Sequence, residues 1–437
     1  MQTQKDHLHA YQTLVGRMSS ALLRGDTAHG EQPAHRSRLG LVLGLVLGLL
    51  AAGGFWVYGL IKPGGNTSWK ATGVVVLEKE TGNRYVYLGG QLRPVLNQAS
   101  AYLWLGASSA RIVSVSRASL AGVPRGAPFG IPRAPDEVPP AGSLVRGAYL
   151  LCLTPVAGTM VLDAPDARRA APAPDGTYLW VADPSGGQYL IWHDRKLPIQ
   201  DATVPPALGL PARQPPVAPW TWLGVLLTGP SIGAAPIASY GRPGPRVAGR
   251  PHNVGDLLVQ ANPNGTKQDY VVLADGVSPV GPTDFALLQA KWGGAATPVT
   301  AAELVAAPHS SSTMDHLPDL VSSKPSPGRS CIRLSPQGTG LVEEMVVFDE
   351  APVGRGVVLA PASAMYVASV PAPTGTGQKP DRYLITDRGI KYPLRDDESI
   401  TALGYGGVEP LPMPADVLAT LGTGPELSRA AVGVTQP

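Results

Sequence analysis

The chain of 437 residues contains two cysteines, Cys152 and Cys331, which are its only thiols. Their positions fit neither the spacing of a zinc site nor a Cys-x-x-Cys redox motif. These two residues therefore predict a single long-range disulfide. Because disulfides persist outside the cytosol, this pairing would place the large part of the chain on the extracytoplasmic side. Two free, buried thiols are the alternative that the sequence leaves open.

Two short motifs resemble enzyme signatures but lack the surroundings that the chemistry needs. Segment 229–233 reads Gly-Pro-Ser-Ile-Gly and matches the Gly-x-Ser-x-Gly elbow of a serine nucleophile. Pro236 follows where the helix of that elbow would begin, which favours a turn in a loop. Segment 265–267, Gly-Thr-Lys, lacks the upstream glycine of a phosphate-binding loop, so the sequence contains no P-loop for a nucleotide.

Histidines and aspartates come close together in two places. His309 and His316 flank a Ser-rich loop that also holds Asp315, but the sequence supplies no third ligand at metal-site spacing. His193 and Asp194 occupy a predicted hairpin turn, where both residue types are common. We therefore predict no catalytic residue, no metal site and no cofactor.

An uncharged apolar segment at 39–61 decides the class of protein. A helix of this length spans roughly 35 Å, enough to cross a hydrocarbon core of about 30 Å. A cleaved signal peptide would have a shorter apolar region and a shorter preceding segment. A buried core helix is the other alternative, but such helices rarely run this long without a polar face. We predict one transmembrane helix at 39–61.

Small residues recur every fourth position along this predicted span. In lipid, helices associate by close backbone packing, which small residues at this spacing permit. The alternative is that glycine is simply common in membrane helices. The predicted packing residues are Gly40, Gly44, Gly48 and Ala52.

The preceding tail, 1–38, contains an amphipathic helix pattern that Asp6 would cap and Gly25 would end. Its apolar stripe needs cover from a partner or a membrane surface, and its low charge favours a protein partner. A frayed tail that contacts nothing is the alternative. Within about 20 residues of the span the two sides carry equal numbers of Lys and Arg, and the immediate flanks favour a cytoplasmic amino terminus. The predicted partner-binding residues are Leu14, Arg17, Met18, Leu22 and Arg24.

Beyond the span, cationic and anionic residues are almost equal in number. Nucleic-acid binding depends on cations that neutralise phosphates, so this balance argues against a nucleic-acid partner. Four segments share a Tyr, a short apolar strand, a turn and a closing Pro, which together predict β-hairpins. The hairpins run from Tyr85 to Pro94, Tyr189 to Pro198, Tyr270 to Pro279 and Tyr383 to Pro393, with helices expected at 97–105, 283–292 and 414–421.

These patterns predict a single transmembrane helix followed by a mixed α+β, β-rich ectodomain in which four small repeat modules surround a central β domain. Pro-rich segments separate the modules. The predicted division is a cytoplasmic amphipathic tail (1–38), the transmembrane helix (39–61), the first module (62–122), the first part of the central domain with its Pro-rich entrance (123–171), the second module and a Pro-rich linker (172–250), the third module (251–308), the second part of the central domain (309–362), and the fourth module with the C-terminal tail (363–437).

Several of these segments together resemble the EccB family, a membrane core component of bacterial type VII (ESX) secretion systems. Segment 17–26, RMSSALLRGD, is similar to the family's Arg-Met-x-x-Ala-Leu-x-x-Gly-Asp directly before a single span. Segments 92–97, LRPVLN, and 100–103, SAYL, resemble a second family signature. Segment 130–135, GIPRAP, resembles Gly-Ile-Pro-Gly-Ala-Pro, with Arg133 in place of the usual Gly.

The resemblance implies a structural subunit of the bacterial cytoplasmic membrane that scaffolds the extracytoplasmic side of a translocation complex. It implies a cytoplasmic amino terminus, a disulfide joining two halves of a central domain, a homo-dimer or higher oligomer, and partners of the EccC, EccD and EccE types. Some family members carry an ATPase label, which no residue pattern here supports. Nucleotide hydrolysis at an unrecognised site and cell-wall binding through aromatic clusters are the alternative functions; the second rests on Tyr85, Tyr87, Tyr189 and Trp192.

Overall fold

The computed structural model describes residues 4–24, 34–61, 67–107, 110–314, 316–348, 356–375 and 378–433. Two helices come first, α1 (Gln4–Arg24) and α2 (Ala34–Ile61). The apolar stretch Leu39–Gly59 of α2 is long enough to cross a membrane, and none of it is buried against the other described residues. Asp6 lies within the first turn of α1 and is not its cap, which corrects the sequence prediction. Its carboxylate still lies at the positive end of the helix dipole.

The first small sheet forms from residues 74–115. Three strands make an antiparallel meander, and a helix then returns the chain so that the fourth strand runs parallel to the first. The side chain of Asn97 accepts a hydrogen bond from the backbone N–H of Ser100 and caps that helix. The elements are β1 (Val74–Glu78), β2 (Arg84–Leu88), β3 (Gln91–Pro94), α3 (Gln98–Leu105) and β4 (Arg111–Val115).

The chain next begins the central sheet and then forms the second small sheet, again around an antiparallel meander. The elements that begin the central sheet are β5 (Tyr149–Leu153), β6 (Met160–Asp163) and β7 (Ala171–Pro172). The elements of the second small sheet are β8 (Thr177–Ala182), β9 (Gln188–Trp192), β10 (Arg195–Pro198), α4 (Val204–Ala207), α5 (Trp220–Val225) and β11 (Leu227–Thr228).

A separate hairpin precedes the third small sheet, which repeats the order of meander, helix and parallel strand. The hairpin strands are β12 (Pro243–Val247) and β13 (Arg250–Asn253). The elements of the third small sheet are β14 (Leu257–Ala261), β15 (Lys267–Val272), β16 (Val277–Val280), α6 (Pro282–Trp292), β17 (Thr297–Val299) and α7 (Ala301–Ala306).

Two distant parts of the chain complete one central sheet of six strands, in the order β21-β6-β5-β19-β20-β7. Its inner strands β5 and β19 pair antiparallel. A further short strand, β18, joins the second small sheet beside β8. The returning elements are β18 (Lys324–Pro325), β19 (Arg329–Gln337), β20 (Gly340–Phe348) and β21 (Gly356–Val358).

The fourth small sheet closes the fold and corrects one prediction. Its hairpin lies where the sequence places it, but an unpredicted helix, α8, follows directly, and the helix expected at 414–421 is the later α9. Asp396 caps α8 by accepting a hydrogen bond from the backbone N–H of Ser399. The elements are β22 (Ala364–Val370), β23 (Arg382–Thr386), β24 (Ile390–Leu394), α8 (Asp397–Ala402), β25 (Leu411–Pro414), α9 (Ala415–Ala419), β26 (Gly422–Thr423) and α10 (Arg429–Val432).

All four small sheets share a contact near the end of the meander. In each sheet, the residue two positions before the closing Pro pairs in parallel with a residue of a short segment later in the chain. The residue that follows this partner donates its backbone N–H to the carbonyl of the residue two positions before the Pro. The paired residues are Leu92 with Arg125, Lys196 with Thr228, Val277 with His309, and Lys391 with Thr423. The N–H to O distances are 3.1 Å for Gly126 to Leu92, 2.9 Å for Gly229 to Lys196, 3.0 Å for Ser310 to Val277 and 2.8 Å for Gly424 to Lys391.

Shared hydrophobic cores join neighbouring sheets. One core combines Val75 of the first small sheet with Tyr366 of the fourth. A second combines the central sheet with the second and fourth small sheets, and a third combines the second and third small sheets. Two buried hydrogen bonds cross these boundaries: Tyr149 Oη donates to the carbonyl of Pro412 (2.9 Å), and Trp222 Nε1 donates to the carbonyl of Leu151 (2.9 Å). The sheets are therefore packed against one another and not strung on loose linkers.

Candidate functional site

The enzyme-like Ser motif forms a strand contact. Gly229 donates to the carbonyl of Lys196, and Ile232 pairs with Ile199 beside β10. Ser231 is exposed, and an irregular segment without a helix follows it. A nucleophile elbow needs a strand, a sharp turn and then a helix, so this arrangement does not build one.

The histidines predicted to lie in loops serve backbone structure. His309 pairs with Val277 through its backbone. The N–H groups of His316 and Leu317 donate to a carboxylate oxygen of Asp284, each at 3.1 Å. Asp315 lies outside the described residues. Within the described ranges, no three His, Cys, Asp or Glu side chains converge as metal ligands would.

The His193–Asp194 turn connects the second small sheet to the central sheet. Both residues have left-handed backbone angles, as a tight hairpin turn requires. The His193 ring stacks on Trp192 with 3.7 Å between ring centroids. Asp194 Oδ1 accepts a hydrogen bond from the backbone N–H of Met345 on β20 (2.5 Å). This turn therefore fixes one sheet on the other, a role that its sequence did not reveal.

Cys152 and Cys331 form a disulfide across the middle of the central sheet. They are directly opposite each other on β5 and β19, with Cα atoms 4.1 Å apart, and both are fully buried. Because β5 and β19 come from distant parts of the sequence, the bond closes a long loop through both halves of the sheet. In the chain-entropy model, a loop of this size stabilises the folded state by about 5 kcal/mol.

A half-buried lysine and a buried lysine tie helix ends to the second and fourth small sheets, respectively. Lys196 Nζ donates to the carbonyl of Leu223 at the end of α5 (2.7 Å), and Lys391 Nζ donates to the carbonyl of Leu418 at the end of α9. Each of these carbonyls also accepts a backbone N–H, from Leu226 and Leu421 respectively, so the lysine adds a second hydrogen bond. A cation at the carboxyl end of a helix also interacts favourably with the helix dipole. Burial lowers the pKa of both ammonium groups. No local sequence signal marks either lysine for this role, although both lie two positions before a hairpin Pro.

A buried carboxylate organises the first small sheet. Glu78 Oε1 lies 2.8 Å from Arg117 Nε, and its Oε2 accepts hydrogen bonds from Thr81 Oγ1 (2.7 Å) and Tyr85 Oη (3.1 Å). The hydrogen bond from Arg117 is the largest cause that lowers the pKa of Glu78, to about 2. The carboxylate is therefore ionised at neutral pH and holds Arg117 against the sheet.

No described residue outside α2 packs against its predicted stripe of small residues. Gly40, Gly44 and Gly48 have no neighbouring atom where a side chain would begin, and Ala52 is exposed. Another helix can approach the backbone closely along this line.

The tail helix α1 also presents an uncovered apolar surface. Leu14, Met18 and Leu22 are 60%, 59% and 84% exposed. Arg17 lies on the same helix, and the side chain of Arg24 is outside the described residues. Most of the stability of a helix in a protein comes from packing of its apolar face, so such a surface is typical of a segment that a partner covers.

Comparison with known proteins gives a family. The family model described as "Type VII secretion system ESX-1, transport TM domain B" matches residues 1–436. The ESX-3 secretion system ATPase EccB3 of Mycolicibacterium smegmatis is 28% identical, over 97% of this chain and 89% of its own length. The ESX-1 secretion system ATPase EccB1 of Mycobacterium tuberculosis is 27% identical, over 98% of this chain and 94% of its own.

Solved structures of ESX complexes share the fold of this chain. The EccB3 dimer from the ESX-3 core complex has a TM-score of 0.58 and 25% identity, covering 82% of this chain and 99% of that one. A chain of the intact ESX-5 inner membrane complex has a TM-score of 0.59 and 23% identity, covering 100% of this chain and 96% of that one. With a family model that matches nearly every residue, the chain belongs to the EccB family of type VII secretion systems.

Proposed function

We propose that this chain is the EccB-type structural subunit of a type VII secretion complex, and that it scaffolds the extracytoplasmic side of the translocation machinery. The observation that carries this proposal is the continuous packing of five sheets through shared cores, clamped by the Cys152–Cys331 disulfide. Such a body holds its sheets in fixed relative positions, as a scaffold must, because cores packed to crystal-like density deform little. Affinity purification from membranes tests the proposal, and the other secretion subunits should co-purify in fixed ratio.

The proposed topology has the amino terminus in the cytoplasm and the large part of the chain outside. Arg36 and Arg38 precede the apolar stretch, and the buried disulfide suits an oxidising compartment. Protease added to intact spheroplasts should then digest the bulk of the chain and leave the α2 segment. Survival of the full-length chain would contradict this topology.

The proposed partners are EccC-, EccD- and EccE-type subunits and a second copy of this chain. Leu14, Met18 and Leu22 of α1 would meet a partner in the cytoplasm, whereas the Gly40, Gly44, Gly48 and Ala52 stripe would pack in the bilayer. Their exposure in the single chain supports both contacts. A Leu14→Asp, Met18→Asp variant should lose cytoplasmic partners while it still reaches the membrane.

We also propose that the four small sheets are copies of one module arranged around the central sheet. The proposed boundaries are those predicted from the sequence, except that the first and third modules extend to include the contacting segments at 125–126 and 309–310. The support is the shared order of meander, helix and parallel strand together with the common contact two residues before each Pro. In the second sheet, the strand after the helix is reduced to a bridge between Val217 and Ala182. Superposition of the four sheets from experimental coordinates of this chain would test the proposal, and unrelated hydrogen-bond registers would contradict it.

Nucleotide hydrolysis is the first alternative, because the matched relatives are named ATPases. The sequence has no P-loop. Turnover measured with the purified full chain, free of the complex's motor subunit, decides this alternative. Undetectable turnover removes it.

Cell-wall binding is the second alternative, through the aromatic residues that the sequence highlights. Two of those rings are already occupied within the chain. Tyr85 is 7% exposed, and the indole of Trp192 stacks on His193. Sedimentation with purified peptidoglycan tests the idea, and failure to co-sediment counts against it.

A further inference from the structure

The near-neutral balance of the large part of the chain conceals a marked charge asymmetry. Residues 67–133, which contain the first small sheet, carry eight Lys and Arg against two Asp and Glu. Residues 134–437 carry 21 Lys and Arg against 27 Asp and Glu. Positive charge is therefore concentrated in the part of the chain that directly follows α2.

The chain enters the first small sheet on one defined face. The short helical turn Ser68–Lys70 contacts β1 and β4, and Trp69 is buried with Val74 and Val76. Val75 and Val86, on the opposite face, belong to the core shared with the fourth small sheet. We name the face that carries Trp69 the tether face. It is the side of the first small sheet that points away from the fourth.

Three cations lie on or beside the tether face. Lys70 Nζ lies 5.3 Å from the centre of the Trp69 ring, and the guanidinium of Arg125 lies 4.3 Å from the centre of the Tyr85 ring. Arg111 lies two and four positions before Val113 and Val115, the β4 residues that pack with Trp69. Because alternate residues of a strand share a face, Arg111 lies on the tether face. Lys70, Arg111 and Arg125 are exposed, and none forms an ion pair within the described ranges.

The two carboxylates of this region do not neutralise these three cations. Glu78 is buried in its salt bridge with Arg117. Glu80 Oε2 accepts a hydrogen bond from the backbone N–H of Arg117 (2.9 Å). Both acidic groups therefore lie beside a fourth cation, and the tether face keeps a net positive charge.

The covalent connection holds this face close to the bilayer. Ile61 ends α2 and Thr67 precedes the turn at Ser68–Lys70, so six residue steps join them. A fully extended chain of that length reaches at most about 22 Å. When α2 spans the membrane, Thr67, where the chain reaches the tether face, stays within that distance of the end of α2, whichever side the large part occupies.

We propose that the tether face binds the anionic phospholipid headgroups of the bilayer that α2 spans, through Lys70, Arg111 and Arg125. Exposed cations held near an anionic surface gain about a fivefold preference each. Three such contacts would orient the first small sheet on the membrane, and with it the sheets packed against it. The inference depends on α2 spanning the bilayer but not on which subunits join the complex.

The test uses the full chain in nanodiscs of phosphatidylcholine, alone or mixed with phosphatidylglycerol. Amide hydrogen exchange in peptides that cover 67–73 and 120–127 should slow at least threefold in the anionic discs. Because salt screens exposed charges, 1 M NaCl should remove the difference. The variant Lys70→Gln, Arg111→Gln, Arg125→Gln should remove it at low salt.

A matched variant carries the same charge change elsewhere: Arg213→Gln, Arg242→Gln, Arg388→Gln, three exposed arginines with no ion pair in the described part of the chain. It should keep the full lipid effect. Unchanged exchange of β1 and β2 amides in neutral discs checks that the first variant folds, and the salt response of the unmodified chain is a readout independent of any variant. The proposal would be overturned by equal exchange rates in the two lipid mixtures, or by anionic-lipid protection that persists in the triple variant at 70, 111 and 125. Equal protection by inorganic phosphate in neutral discs would also overturn it.

Discussion

At the scale of single residues, buried and half-buried polar groups connect the parts of the scaffold. Asp194, Lys196 and Lys391 each bond a backbone group of another element. Sequence patterns found the turn that contains Asp194 but not its contact with Met345, because a hydrogen bond across 151 positions leaves no local signal. The two lysines were hidden for a different reason. Exposed lysines are the rule, and only the tertiary fold places these two under helix ends.

Glu78→Gln should destabilise the first small sheet by about 1–3 kcal/mol at pH 7, because the hydrogen bonds to a buried carboxylate lose their charge. The folded pKa of Glu78 is lowered from 4.5 to about 2, so its contribution is complete above pH 4.5 and is lost as the pH falls toward 2. Hydrogen exchange of β1 and β2 amides in the full chain measures this effect. The difference from the unmodified chain should shrink between pH 4.5 and pH 2.5.

Glu409→Gln is the matched control, since Glu409 is exposed. It should leave exchange in β1 and β2 unchanged at every pH. An equal effect of both substitutions would mean that Glu78 has no special role in the sheet.

At the scale of elements, local turn chemistry was predictable and long-range pairing was not. The Tyr-to-Pro spacing located all four hairpins, because alternation and turn residues act over a few positions. The helix α8 was missed although Asp396, Asp397 and Glu398 form an amino-terminal signal before it. Short strands such as β11 and β26 could not be predicted, since two residues carry no periodicity and pair only after the sheet exists.

The disulfide gives a prediction for the central sheet. Cys152→Ala, Cys331→Ala should lower the free energy of unfolding by as much as about 5 kcal/mol, because the unfolded chain regains the entropy of a long closed loop. Denaturant unfolding followed by tryptophan fluorescence measures the change. The unmodified chain, treated with reductant after unfolding, should refold with the same reduced stability, and an unaltered midpoint in the double variant would contradict the clamp.

The span gives a second prediction at this scale. Gly44→Ile should weaken recovery of the complex in detergent, because a branched side chain keeps a neighbouring helix from the backbone. Leu45→Ile, outside the small-residue stripe, is the control and should have no effect. Disulfide formation in the ectodomain should stay normal in both variants. Full recovery with Gly44→Ile would remove the packing role from this stripe.

At the scale of the whole molecule, the sequence predicted a membrane-anchored, β-rich protein of the EccB family. The family match confirms the family, and the structure confirms the β-rich fold and an apolar helix long enough to span a membrane. An average over the large part of the chain hid the basic first sheet, because acidic residues elsewhere balance it. The sequence also could not give the order in which shared cores join the sheets. Burial of Val75 with Tyr366 depends on segments almost 300 positions apart, which only the folded chain brings together.

The most direct test of the scaffold is purification of the tagged chain from solubilised membranes, with the subunit composition and mass of the product determined. We predict one large assembly that contains multiple copies of this chain and the other membrane subunits of the secretion system, retained when ATP is depleted. Recovery of the chain alone as a monomer, from membranes in which the remaining subunits stay assembled, would contradict it.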